Sequence, residues 1–133
     1  MSLSKTLVAL SGEYLVAAHL CMRGIVASLT LKNYPGVDIF AYNPDTGKSI
    51  TVQVKTTRVH RSSGYWISDP SKIKSEATPF VFVHLNKKSP PEFYIISASD
   101  LATLIQPEGK SYWYVKIRDL ESYKDQWERL GIF

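Results

Sequence analysis

Two periods run through this chain. From residue 6 to about 23, Leu10, Glu13, Tyr14, Ala17, Leu20 and Cys21 recur at steps of three and four, the spacing of one helix face. Gly24, a residue favoured just past a helix end, follows. Residues 25–31 read as a short strand and Asn33-Tyr34-Pro35-Gly36 as a turn. The period then drops to two. Residues 37–43 and Ser49–Thr57 read as a hairpin joined by Asn43-Pro44-Asp45-Thr46-Gly47-Lys48. In its second strand Ser49, Thr51, Gln53, Lys55 and Thr57 share one face, while Ile50, Val52, Val54 and Thr56 share the other.

Beyond the hairpin the pattern predicts a polar, basic loop over 58–64 and a short strand over 65–67. Apolar strands over 80–85 and 93–96 follow, then a helix over 100–105 with Ser99 as its N-cap. Residues 112–117 read as extended. Leu120, Tyr123, Trp127 and Leu130 predict a final helix from 119 to about 130. A helix, several strands and late helices in this order predict an α/β (α+β) domain with a central mixed β-sheet flanked by helices.

Composition narrows the class. The 133 residues are 44% hydrophobic and 21% charged, which is ordinary for a globular chain and excludes a disordered one. No internal repeat or linker-like tract divides them, so a single domain over 1–133 is expected. Cys21 stands alone, which excludes an intramolecular disulfide and a cysteine-rich zinc site and suits a reducing cytoplasm. No apolar run approaches the roughly 18 residues of a membrane span, so a cytoplasmic protein with no membrane partner is expected. The net charge of +4 is uneven: residues 1–75 carry nine basic and four acidic side chains, residues 76–133 seven and eight. A basic half of this kind can meet a polyanion through phosphate contacts.

Three polar features stand where packing alone would not put them. Glu13 interrupts an apolar helix stripe, and a carboxylate there is costly without a cation or hydrogen-bond partner. Asp38 opens a strand, a setting that disfavours Asp. Gln53 and Lys55 stand side by side on one strand face.

Gly12-Glu13-Tyr14, Pro35-Gly36-Val37-Asp38 and Gln53-Val54-Lys55-Thr56-Thr57 together resemble the PD-(D/E)XK nuclease superfamily. They look most like its small resolvase-like branch and uncharacterised bacterial single-domain relatives, in a Gln-x-Lys variant. The resemblance implies a restriction-endonuclease-like core. It also implies Mg²⁺ or Mn²⁺ held by Asp38, Gln53, the Val54 carbonyl and Glu13, with Lys55 placing water and stabilising transition-state charge. Glu13, Asp38, Gln53 and Lys55 would be the catalytic set. Thr57, Arg58, His60 and Arg61 would contact DNA along the basic loop. Gln53 departs from the pattern, standing where the superfamily usually has Asp or Glu; the site loses a formal charge and should bind Mg²⁺ more weakly.

The implied activity is phosphodiester hydrolysis on DNA, with branched or damaged DNA as candidate substrate. The alternative is a nucleic-acid-binding or protein-interaction module that keeps the fold without cleavage. His19 and His84 have no spaced partners and read as structural. Tyr112-Trp113-Tyr114, Trp127 and Ile132-Phe133 read as core or as a homodimer interface.

Overall fold

The architecture comes from a computed structural model that describes residues 4–31, 36–60, 63–67, 73, 78–108 and 112–133. Helix α1 (Lys5–Met22) opens the chain, its N-terminus capped by the Ser4 hydroxyl, which accepts from the Leu7 N–H at 3.2 Å. Strands β1 (Val26–Leu29), β2 (Ile39–Tyr42) and β3 (Ser49–Thr57) form an antiparallel meander. β3 then pairs in parallel with β5 (Phe80–His84), which pairs antiparallel with β6 (Glu92–Ile96). The result is a five-stranded mixed sheet in the order β1-β2-β3-β5-β6. A second sheet of three strands, in the order β4-β8-β7, joins β4 (Gly64–Ile67), β8 (Tyr112–Lys116) and β7 (Gln106–Glu108). Helix α2 (Ala98–Leu104) leads from β6 into β7.

The alternation of side chains sorts this sheet onto two cores. Val81, Val83, Phe93 and Ile95 join Val16 and Leu20 of α1, Val52 and Val54 of β3, and the C-terminal Trp127, Leu130 and Ile132. Their strand neighbours Phe80, Phe82, Tyr94 and Ile96 pack on the other side with Tyr65, Ile67, Leu101, Val115 and Leu120. β5 and β6 are therefore covered on both faces, which is why they read as unbroken apolar runs. β1, β2 and β3 are covered by α1 on one face only. Phe40 and Tyr42 of β2 remain about half exposed on the other face.

The hairpin loop behaves as its residues require. The Asn43 Oδ1 accepts from the Asp45 N–H at 2.9 Å in an Asx turn, and Gly47 supplies a φ of +75°. The buried Asn43 amide also donates to the Ile132 carbonyl at 2.8 Å, tying the hairpin to the chain's end.

Three local expectations are corrected. The buried residues of α1 are Gly12, Val16 and Leu20, while Tyr14 and Cys21 are exposed; the helix is apolar almost all round, and a glycine selects the face that lies closest to the sheet. The second helix is capped by Ser97 rather than Ser99, the Ser97 Oγ accepting from the Asp100 N–H at 3.1 Å. The final helix is two 3₁₀ turns, Ile117–Tyr123 and Trp127–Leu130. They separate because Lys124 bridges to Tyr94 and the Asp125 N–H donates to the Phe93 carbonyl at 2.9 Å, with Asp125 at φ 57°. The turn expected at 33–36 falls mostly outside the described residues.

Candidate active site

The position of Glu13 is set by its neighbour. Gly12 lies so close to β3 that a Cβ there would overlap the Thr56 side chain. Glycine in a helix interior costs about 1 kcal/mol relative to alanine, so it needs a packing reason, and here the reason is this contact. Glu13, one residue on, is half-buried and electrostatically coupled to Asp38. Burial first, and the Asp38 charge second, push the Glu13 carboxyl above the ordinary carboxylate range.

Asp38 sits where β2 leaves β3. Its backbone N–H donates to the Val52 carbonyl at 3.0 Å, and its carboxylate Oδ2 accepts from the Val54 N–H at 2.8 Å. The side chain thus replaces the backbone partner that β2 no longer offers. A strand residue's N–H and C=O point the same way, so the Val54 carbonyl faces this same edge of β3. The β2–β3 ladder ends at Ile39↔Val52, and Asp38 follows beside the Val52–Val54 stretch of β3.

Gln53 and Lys55 lie half-buried on the face of β3 away from α1, since Val52 and Val54 enter the α1 core. Glu13 stands on the helix side, near enough to Asp38 to feel its charge. The four residues thus straddle the point at which the two strands diverge, with Asp38 at the edge between helix and open sheet face.

Lys55 and Thr57 continue into a cleft of about 440 Å³ that Lys5, Val8, Arg58 and Trp66 also line. The Thr57 hydroxyl accepts from the Val59 N–H at 3.3 Å and closes the strand end. His60 belongs to a neighbouring depression shared with His84 and Lys87, not to the cleft. Arg61 lies outside the described residues. Lys5 and Trp66 went unnoticed in the sequence: each is an isolated residue whose relevance comes from tertiary approach to the end of β3.

His84 and His19 are structural, as expected. The His84 Nε2 lies 2.8 Å from the Val59 carbonyl, and its Nδ1 lies 3.2 Å from the Glu92 carboxylate, so the imidazole ties the segment carrying Arg58 and His60 to β6. Burial alone would raise Glu92, but hydrogen bonds from Lys124, His84 and Asn86 outweigh it and hold the carboxyl down at about 2. His19 stacks on Trp127 and packs against Phe93. Trp127 and Ile132 are core residues, and Phe133 is partly exposed.

Among the described residues no three His, Cys, Asp or Glu side chains are grouped closely enough to hold a metal ion. A small hard cation does not require such a cage; Mg²⁺ is commonly held by one or two carboxylates, with substrate phosphate and water completing the shell. The carboxylates of Glu13 and Asp38, together with the Val54 carbonyl edge, fit that requirement: the Asp38 charge adds to the cost of ionising Glu13, and a divalent cation offsets it.

No protein-family model matches this chain, and no curated protein is detectably similar to it in sequence. Its fold is shared with solved structures. A Holliday junction resolvase from the archaeal hyperthermophile Archaeoglobus fulgidus superposes with a TM-score of 0.59 at 12% identity, over 94% of this chain and 97% of that one. A bacterial homing endonuclease superposes with a TM-score of 0.60 at 14% identity, over 95% of this chain and 90% of that one. At these identities the likeness is one of fold, and the fold is the restriction-endonuclease-like mixed sheet with flanking helices. Among the described residues no helix is long and apolar enough to cross a membrane.

Proposed function

We propose that this protein is a divalent-metal-dependent DNA endonuclease of the PD-(D/E)XK type, a Gln-x-Lys member similar to the resolvase-like branch. The observation that carries the reading is the Asp38 carboxylate held on the Val54 N–H where β2 parts from β3, with Gln53 and Lys55 on one face of β3 and Glu13 on α1 feeling the Asp38 charge. The fold shared with a resolvase and a homing endonuclease supports it.

Asp38, Glu13, the Gln53 amide oxygen and the Val54 carbonyl would hold Mg²⁺ or Mn²⁺, which supplies charge neutralisation and a more acidic water. The remaining chemistry belongs to the chain. Asp38 is held in place by the Val54 N–H, so its carboxylate is oriented before substrate arrives. The Lys55 ammonium orients the attacking water and balances the negative charge that builds on the phosphoryl oxygens as the leaving oxygen departs. Thr57, Arg58, His60 and Arg61 grip neighbouring phosphates, with branched or damaged DNA the candidate substrate. The neutral Gln53 favours one second reading, DNA binding without cleavage.

A Mg²⁺ titration of cleavage on duplex, nicked and branched DNA separates the two. The enzyme reading expects cleavage by the wild type, a lower Mg²⁺ midpoint for Gln53→Glu, and a loss of about a hundredfold or more in Lys55→Ala. Cleavage by neither wild type nor Gln53→Glu, in Mg²⁺ or Mn²⁺, would refute it and leave the binding reading.

A further inference from the structure

Trp66 is large, apolar and 61% exposed, while Gly64, Tyr65 and Ile67 around it on β4 are buried. It is also held still. Gly64 has no room for a Cβ against the Val115 carbonyl, so β4 lies tightly on β8. There Trp66 pairs with Tyr114, whose ring meets the indole edge-on at 5.1 Å. The fixed indole forms one wall of the cleft at the end of β3, and Lys5, Lys55 and Arg58 stand around the rest of it.

None of these three cations forms an ion pair among the described residues. The cleft therefore joins two chemistries, positive charge and an aromatic face, in a volume of about 440 Å³. A free phosphate would use only the first. An apolar protein segment would use only the second, and would have to desolvate the three cations. A paired base in a duplex has its faces covered by its neighbours and cannot meet the indole. An unpaired nucleotide uses both.

We propose that this cleft binds one unpaired nucleotide of a DNA strand, its phosphate among Lys5, Lys55 and Arg58 and its base against Trp66. The inference rests on the DNA reading above and narrows its substrate to DNA with an overhang, flap or fork. Because Lys55 belongs to both the cleft and the catalytic set, the unpaired nucleotide lies next to the bond to be cut.

The test is fluorescence anisotropy in EDTA, so that binding is read without cleavage, on a blunt duplex and the same duplex with an unpaired overhang. The wild type should bind the overhang about tenfold tighter, as expected for one base stacked on an aromatic side chain. Trp66→Ala should erase that preference while leaving the blunt-duplex affinity in place, and Trp66→Phe should restore most of it. Lys5→Gln, on an exposed helix turn, should weaken overhang binding several-fold and reduce the salt slope by about one. It carries the test should Trp66→Ala not fold. Equal binding of both DNAs by the wild type, a preference that survives in folded Trp66→Ala, or overhang binding and a salt slope unchanged in Lys5→Gln, overturns the cleft proposal and leaves the DNA reading standing. Binding of neither DNA by the wild type overturns both.

Discussion

Gly12→Ala tests the contact on which the position of Glu13 depends. An added Cβ would overlap the Thr56 Oγ1 and sit 2.8 Å from the Thr56 Cβ. The backbone at Thr56 is held by its pairing with Val83 of β5, so it yields little. The helix must lift instead. Overpacking of this kind costs about 1–3 kcal/mol, and the helix propensity gained by replacing glycine offsets about 1 kcal/mol of it. A net loss of about 1–2 kcal/mol is expected, with Tm falling by about 4 °C for each kcal/mol at this chain length. Thr56→Ala supplies the second arm. The buried Thr56 Oγ1 finds no hydrogen-bond partner among the described residues, so its removal should be nearly neutral. In the double variant the Oγ1 overlap is gone while the Cβ contact remains, so part of the loss should return, with a coupling of about 1 kcal/mol. Urea denaturation of the four proteins reads the cycle. An unchanged midpoint in Gly12→Ala, or single effects that simply add, would refute the argument that Gly12 sets the approach of α1 to β3.

Asp38 carries two duties that separate by substitution. Asp38→Asn keeps an oxygen for the Val54 N–H and should stay near wild-type stability while losing Mn²⁺ binding by calorimetry. Asp38→Ala should lose the binding and a further 1–3 kcal/mol or so, because it strands that N–H. Unchanged Mn²⁺ affinity in folded Asp38→Asn removes Asp38 from the ligand set. Glu92 sets the acid limb. Its folded carboxyl is held at about 2 against an ordinary 4.5, so its contribution is complete above 4.5 and disappears as pH falls toward 2. Lys124, whose ammonium donates to Glu92 at 2.8 Å but is 37% exposed, should account for about 1 kcal/mol of this after solvent screening. Lys124→Gln should therefore be less stable at neutral pH and converge with the wild type near pH 2; a constant gap across the titration would exclude the pair as its source.

The hairpin is the most legible part of the chain. Strict alternation over Ser49–Thr57 and the Asn-Pro-Asp-Thr-Gly-Lys loop are local signals, and the structure places β3 on the expected residues. The sheet class and the apolar pair β5 and β6 were legible for the same reason, since burial on both faces leaves little but apolar residues. The face of α1 was not, because a helix apolar all round has no single stripe to read. The strand over 65–67 and the extended stretch over 112–117 match β4 and β8, but β7 and the pairing of these strands into a second sheet escaped notice. β7 is three residues long and is defined by its pairing with β8 rather than by any pattern of its own. The break in the final helix came from a backbone contact with β6, which no spacing of Leu120, Tyr123, Trp127 and Leu130 could reveal. At the site, Asp38, Gln53 and Lys55 follow from strand positions, whereas Lys5 and Trp66 depend on how distant segments meet.

The two neighbours of β3 differ in how far the chain must travel to supply them. Six residues separate β2 from β3, while 22 separate β3 from β5 and 44 separate β4 from β8. Closing the 22-residue loop costs about 1 kcal/mol more than closing the hairpin, and the 44-residue loop about half as much again. Asp38 thus meets β3 through the pairing of lowest sequence separation, by its bonds to Val52 and Val54, whereas Gln53, Val54 and Lys55 pair with β5 across the longer loop. The indole wall at Trp66 waits on the largest separation of the three. Contact order therefore divides the molecule: Asp38 enters the polar cluster through its most local structure, Gln53 and Lys55 are fixed by the longer-range β3–β5 pairing, and the wall of the adjoining cleft depends on its least local contact.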